Sequence, residues 1–432
     1  MTGPGTPAGE GGGTAAPATL RAGRFPYFVA ARALSVFGDM AAVAALAVHV
    51  FQGTGSGLAL SGLFLTRLLP RLFGAFAGAL SDRMDLRQLI IGCDILSAAL
   101  FLVIAVVQPS YLLLLLLLLV SESAATIALP AARTMAVRAL PAEARTRANG
   151  ALMGGITVGF ALGSAFGGLA VGLWGFEVAL FVNVATFLAS AGLTALMRRT
   201  PPLARDGAAP GVLASTARGL RTLRSDRRLL LLATGLVVVP FGAGLDRAAL
   251  VQLTQQDLSA GPLGYGLSLG LIAVGALLGS VLTGRWRKLD ATAKVFLGGV
   301  AIQAVGHFAI GVSPWFSALA VATLMVGFGN GIESVCGLTL IQQRAPAEMV
   351  GVVMGVVMSA TFLADALGSM VGGPLLDLVG ARWTFMAATG VMVLCLAIIA
   401  RSGLMRNAGD ESPAPAAATA GSAAGPAGPE RG

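Results

Sequence analysis

The sequence predicts an all-α polytopic membrane protein, with twelve transmembrane helices in two pseudo-symmetric six-helix bundles. Three observations predict it. The chain of 432 residues is 56% hydrophobic and only 11% charged, where a soluble domain carries roughly 25% charge. Its mean hydropathy is +0.83, a value that needs many apolar runs rather than one anchor. The third is an internal repeat. Pro141-Ala142-Glu143 recurs as Pro346-Ala347-Glu348, Ala161-Leu162-Gly163-Ser164 as Ala366-Leu367-Gly368-Ser369, and Gly167-Gly168 as Gly372-Gly373, all at one spacing of 205 residues. One spacing shared across three matches marks duplicated halves, the usual construction of repeat-built transporters with a site at the midplane.

In chain order, residues 1–24 are Gly, Pro, Thr and Ala with little else. They cannot bury a core and are expected to be disordered. They lack the apolar core and cleavage site of a signal peptide. Apolar runs follow at about 27–51, 57–81, 88–107, 111–137, 148–174 and 177–197, then at 229–253, 263–284, 293–313, 315–341, 350–375 and 382–402. Each is about 20 residues or longer, enough to cross roughly 30 Å of hydrocarbon. The expected units are an N-terminal bundle (25–198), a cytoplasmic linker (199–228), a C-terminal bundle (229–406) and a disordered tail (407–432). Gly211 to Arg224 reads either as a short basic helix on the inner membrane surface or as plain linker.

Orientation comes from arginine. With the N-terminus inside, the inner turns receive Arg83, Arg87, Arg138, Arg145 and Arg147, the middle connection receives eight arginines from Arg198 to Arg228, and later inner turns receive Arg285, Arg287, Lys288, Lys294 and Arg344. The outer turns receive only Arg382. The positive-inside rule therefore places both termini in the cytoplasm of a plasma membrane. It also explains the net charge of +9 without nucleic acid. Cys93, Cys336 and Cys395 fall inside apolar runs and read as buried packing residues. No Cys/His cluster has metal-ligand spacing and no Gly-rich phosphate loop is present, so neither a metal, a cofactor nor direct use of ATP is expected. No constellation marks an enzyme.

The turn Gly78-Ala79-Leu80-Ser81-Asp82-Arg83-Met84-Asp85-Leu86-Arg87 resembles the signature between the second and third spans of the major facilitator superfamily. Asp85 stands where Gly is usual. The resemblance implies that Gly78, Asp82, Arg83 and Arg87 are gating residues. In span five, Gly159, Gly163, Ser164, Gly167 and Gly168 are similar to the family's antiporter motif, with Ser164 in place of Pro. Glycines four apart let another helix approach closely, here expected from the opposite half. Pro130-Ala131-Ala132-Arg133 with Leu140 to Glu143 and Asn149-Gly150 resembles the drug, macrolide and enterobactin exporter branch. Those exporters often carry Arg in the middle of span four, where this chain has Glu122.

Charges inside apolar spans are costly and are paired or functional. At 1.5 Å per residue, Asp39 lies roughly 18 Å deep in span one and Arg67 roughly 21 Å from the inner end of span two. They can pair, as a permanent structural pair or as one broken by protonation or substrate. Asp39, Glu122, Arg67, Asp365 and Glu333 form the candidate substrate or proton site. Asp365 matches Phe160 in the repeat and so belongs to one copy alone. Asp94 is expected to pair with Arg71 or Arg133, and Asp246-Arg247 to gate or to reach lipid headgroups. Gln303, His307 and Asn330 are weaker candidates. The function expected is export of a small amphipathic or cationic organic compound by a monomer in lipid, driven by proton antiport. The alternatives are an importer or uniporter of a nutrient, or a non-transporting polytopic protein.

Overall fold

A computed structural model describes residues 24–74, 84–138, 145–199, 212–284, 289–346 and 348–401. Both tails expected to be disordered, and Gly78, Asp82 and Arg83 of the signature turn, lie outside the described residues. The elements are α1 Phe25–Thr54, α2 Gly57–Leu68 continued by a 3-10 turn at Leu69–Phe73, α3 Leu86–Val107, α4 Tyr111–Arg138, α5 Arg145–Trp174 and α6 Phe176–Ala195. Then come α7 Val212–Ser225, α8 Arg227–Leu245, α9 Arg247–Gln252 with a π turn at Leu253–Asp257, α10 Gly261–Thr283, α11 Leu289–Val312, α12 Phe316–Arg344 and α13 Val350–Arg401.

Ten helices among the described residues are long and apolar enough to cross a membrane. One of them, α13, has 52 residues, about 78 Å at 1.5 Å per residue. That is too long for one crossing. It breaks at Gly380, with φ 80° and ψ 170°, a conformation that a Cβ disfavours. Its two arms are the eleventh and twelfth spans. The second span, α2 with its 3-10 turn, is described only as far as residue 74 and completes the expected set.

Local chemistry sets the ends. Gly55 takes a left-handed conformation and closes α1 on the Phe51 carbonyl at 2.7 Å. Asp85, the departure from the signature, is the N-cap of α3, accepting from the Arg87 and Gln88 amides at 3.0 and 3.2 Å. Asp226 caps α8 in the same way. The segment open to two readings forms helix α7. It seats Leu223 in the C-terminal core and Gly219 against Val352 and Val356, and leaves Arg218, Arg221 and Arg224 exposed.

The buried side chains fall into an uneven pattern. At the face where α1 begins, here the terminal face, there are two separate cores. One holds Phe28, Leu86, Ala132 and Leu152 of the first half, the other Leu232, Phe296, Leu340 and Ile399 of the second. At the far face one core joins both halves, packing Leu46, Phe64 and Leu118 with Leu250, Tyr265, Leu376 and Phe385. The halves are thus fused at the far face and packed separately at the terminal face.

The glycine stripe of α5 has a different partner from the one expected. A Cβ on Gly159, Gly163 or Gly167 would strike the backbone of Ala33, Phe37 or Ala41 on α1, in the same half. Only Gly168 reaches across, against Pro262 and Gly266 of α10. The repeat reproduces both contacts. Gly368 and Gly372 press on Phe241 and Leu245 of α8, and Gly373 crosses to Gly57 and Ser61 of α2. The cross-half glycine in each copy of the stripe, Gly168 or Gly373, gives backbone contact on each side of the pseudo-twofold axis.

Candidate functional site

Two charged clusters face each other across the seam between the halves. In the first, Arg67 of α2 enters between α1 and α4. Its Nη2 lies 2.8 Å from Asp39 Oδ2 and 2.7 Å from Glu122 Oε1. Arg71, one turn on, approaches Glu122 Oε2 at 3.9 Å. The side chains of Arg67 and Glu122 are only 7% and 4% exposed, whereas that of Asp39 is 22% exposed. Water therefore reaches the cluster from the Asp39 side. Burying two carboxylates and a guanidinium costs several kcal/mol per ion, and close ion-pair contact offsets it. No Arg comes from α4, but a central guanidinium is present all the same, delivered by α2.

The repeat shows that this cluster belongs to one half. Arg67 and Glu122 correspond at 205 residues to Ile272 and Gly327. Those two also touch, but as backbone against backbone, with no room for a Cβ on Gly327. Where the second half closes α10 on α12 by glycine packing, the first half inserts an ion pair.

The second cluster joins Arg247 of α9 to Asp365 of α13 at 2.7 Å. The Arg247 guanidinium also stands over the Phe64 ring of α2 at 5.8 Å, a cation–π contact between the halves. Tyr265 of α10, fully buried, lies within electrostatic range of both Arg67 and Arg247. Arg247 therefore faces the seam rather than the headgroups. Glu333 of α12 is 2% exposed and forms no ion pair with either cluster; it lines a cavity in the second half that Arg247 and Asp365 also line.

Asp246, next along, pairs with His307 of α11 at 3.2 Å through Nε2. The other ring nitrogen, Nδ1, lies 2.7 Å from the Gln303 carbonyl, which can only accept. Nδ1 therefore carries a hydrogen, and Nε2 faces the carboxylate, a contact that a single N–H or O–H donor between them would satisfy. An amide meets the same requirement. Asp246→Asn is expected to unfold within about 1 kcal/mol of the wild type, and Asp246→Leu to cost about 1–3 kcal/mol, read as thermal unfolding in detergent. Equal losses in both variants would show that the negative charge itself is required.

Asp94 is buried and pairs with Arg32 of α1, not with Arg71 or Arg133; Ser190 of α6 donates to it at 2.9 Å and also receives Arg32. Arg71 lies instead toward Glu122. Arg32 was legible as a charge within the first apolar run and is the partner that Asp94 required. Arg87 donates to the Ala195 carbonyl and Arg24 to the Leu196 carbonyl, so both cap the C-terminus of α6. Ser164 is fully buried at the α5–α10 contact. Cys93, Cys336 and Cys395 are buried free thiols.

At the far face Asp377 of α13 crosses to α2. Its Oδ1 accepts from the Gly57 amide at 2.6 Å, and its Oδ2 from the Leu58 amide at 3.0 Å and the Ser56 hydroxyl at 3.3 Å. Beside it the Ser61 hydroxyl donates to the Ser369 carbonyl. Gln52 meets Gln255 across the same seam at 3.4 Å. Sequence reading passed over Asp377, because an acid at the end of a span needs no buried partner.

The sequence profile of the Major Facilitator Superfamily matches residues 28–248 and again 232–427. The chain belongs to the major facilitator superfamily. Its members are transporters rather than enzymes, and the double match follows the two halves of the fold. Macrolide efflux protein A of Streptococcus pyogenes is 24% identical over 393 residues, 87% of this chain and 95% of that one. Multidrug efflux pump Tap of Mycobacterium tuberculosis is 27% identical over 386 residues, 85% of this chain and 90% of that one. Among solved structures, a bacterial homologue of the human lysosomal transporter Spinster, inward-facing and unoccupied, has a TM-score of 0.72 at 17% identity. It covers 92% of this chain and 99% of its own. In this superfamily member the paired charges from α1, α2 and α4 and those from α9 and α13 both lie near Tyr265, where the two halves join.

Proposed function

We propose that the protein exports small amphipathic or cationic compounds across the plasma membrane by alternating access coupled to protons, with both termini in the cytoplasm. The observation that carries this reading is the Arg67 guanidinium held between Asp39 and Glu122. Two carboxylates sharing one guanidinium form a switch. A proton on either acid leaves Arg67 to the other and loosens α1 or α4 from α2. Loss of that proton restores the three-helix clamp. The arginine-rich terminal face supports a cytoplasmic orientation. The fused far core and divided terminal cores then correspond to a state open to the cytoplasm, in which cargo for export enters. The efflux relatives support the direction.

Reconstituted protein and an efflux-deficient host test this. Adding ethidium to proteoliposomes is expected to release protons from the wild type, and not from Asp39→Asn or Glu122→Gln. Cells expressing the wild type are expected to gain tolerance to several unrelated cationic toxins. Growth rescue on a single nutrient, with no gain in tolerance, would establish import instead.

A further inference from the structure

The second half contains a cavity of about 290 Å³ between α8, α12 and the first arm of α13. Its walls are mostly apolar, with Val239, Pro240, Met358 and Phe362, and Asn330 and Glu333 project from α12. Arg247 and Asp365 close one end, and because Arg247 touches Phe64 of α2, the cavity abuts the seam. Arg247 and Asp365 neutralise each other at 2.7 Å. Glu333 has no such partner. It is 2% exposed, its Oε1 makes no hydrogen bond, the neutral Ser334 hydroxyl next in the chain is the polar side chain on its carboxylate, and among the described residues no Lys or Arg lies within ion-pair distance of it. The titratable groups in electrostatic reach are the thiols of Cys336 and Cys395, and neither is a cation. The residue 205 positions earlier is Ala128, so shared bundle packing does not call for an acid here.

A buried carboxylate with a free acceptor atom beside an apolar cavity is completed by a ligand that brings its own positive charge and N–H donor. We infer that this cavity is a cargo subsite for a protonated amine carried on an apolar body, with the ammonium on Glu333 Oε1 and the hydrocarbon against Met358, Phe362 and Val239. The inference rests on the export reading above and assigns its cargo contact. The Arg67 cluster senses protons in the first half, and Glu333 holds the charged end of the cargo in the second. Asn330, one turn before Glu333 on α12, offers a second polar contact along the same wall.

Dansylcadaverine, a fluorescent primary amine, and its N-acetyl derivative share one apolar body and differ in charge. Both are titrated into purified full-length protein. The wild type is expected to bind the amine at least about 30-fold more tightly than the amide, the usual size of one desolvated charge contact. Glu333→Gln, which keeps the size of the side chain, is expected to bring the ratio near one through loss of the amine alone. Glu333→Asp is expected to keep part of the preference. Thermal unfolding of each variant verifies that it is folded. Asp39→Asn and Glu122→Gln are expected to leave the ratio unchanged. Absence of saturable amine binding in the wild type, a ratio that survives Glu333→Gln, or a ratio that falls only in the Asp39 and Glu122 variants overturns the subsite. Failure of the proteoliposome assay with the ratio intact sinks the export reading and leaves the subsite standing.

Discussion

Arg67→Gln is expected to stop transport and to lower stability more than any other single change in the first half. Removing the guanidinium strands Asp39 and Glu122 together, with Arg71 still 3.9 Å from Glu122. Taking one partner from a buried ion pair costs about 3–5 kcal/mol, because the remaining charge is buried without compensation. Acid relieves that cost, since protonating the two carboxylates removes the stranded charge. The gap in unfolding temperature between Arg67→Gln and the wild type is therefore expected to narrow as pH falls. The transport rate should fall at least about 100-fold, the equivalent of 2.7 kcal/mol on the rate-limiting barrier. An Arg67→Glu, Glu122→Arg double variant separates the two roles of the cluster. Recovered stability without transport means that the position of the guanidinium matters to the cycle. Recovered transport means that the cluster is a structural brace, and the proton switch is then wrong.

Residue patterns carried the fold a long way. Composition and run length specify a multi-pass bundle because lipid allows few other architectures, and the 205-residue spacing specifies two halves. Even the break between the last two spans was legible, since Gly380 falls between apolar runs. The neighbours of each face were not. The glycines from Gly159 to Gly167 reveal a groove, but spacing along one helix cannot say which helix fills it. The groove belongs to α1, and only Gly168 serves the opposite half. The charges show the same limit. Depth along the spans put Asp39 and Arg67 at one level, and they do meet at 2.8 Å. Depth says nothing of rotation about the helix axis, so the convergence of Glu122 on the same guanidinium needed the packed structure. Asp94 with Arg32 fails in the same way: the need for a partner was readable and the partner was not.

Asp377→Ala is expected to open the far face without harming the fold. Asp377 hydrogen-bonds α2 at the Gly57 and Leu58 amides and at Ser56, where the amides of a helix start have no partner within their own helix. The acid comes from the other half, so these bonds exist only while the far face is closed. Asp377 is solvent-exposed, which places the effect at about 1–2 kcal/mol, the range of an N-cap deletion. Applied to a two-state equilibrium, that shifts the population about 5- to 30-fold toward far-face opening. A Gln52→Cys, Gln255→Cys pair reads the shift. The two side chains meet at 3.4 Å across the seam, and the native cysteines are buried. Oxidative cross-linking is expected to be fast with Asp377 present and slower in Asp377→Ala. Asp377→Asn keeps one carbonyl acceptor and should fall between the two. Ser56→Ala removes only the 3.3 Å contact to Asp377 and the local cap on Ala59, so it should change the rate little. An unchanged cross-linking rate in Asp377→Ala would mean that the glycine contacts of Gly373 with Gly57 and Gly168 with Gly266 close the far face by packing alone.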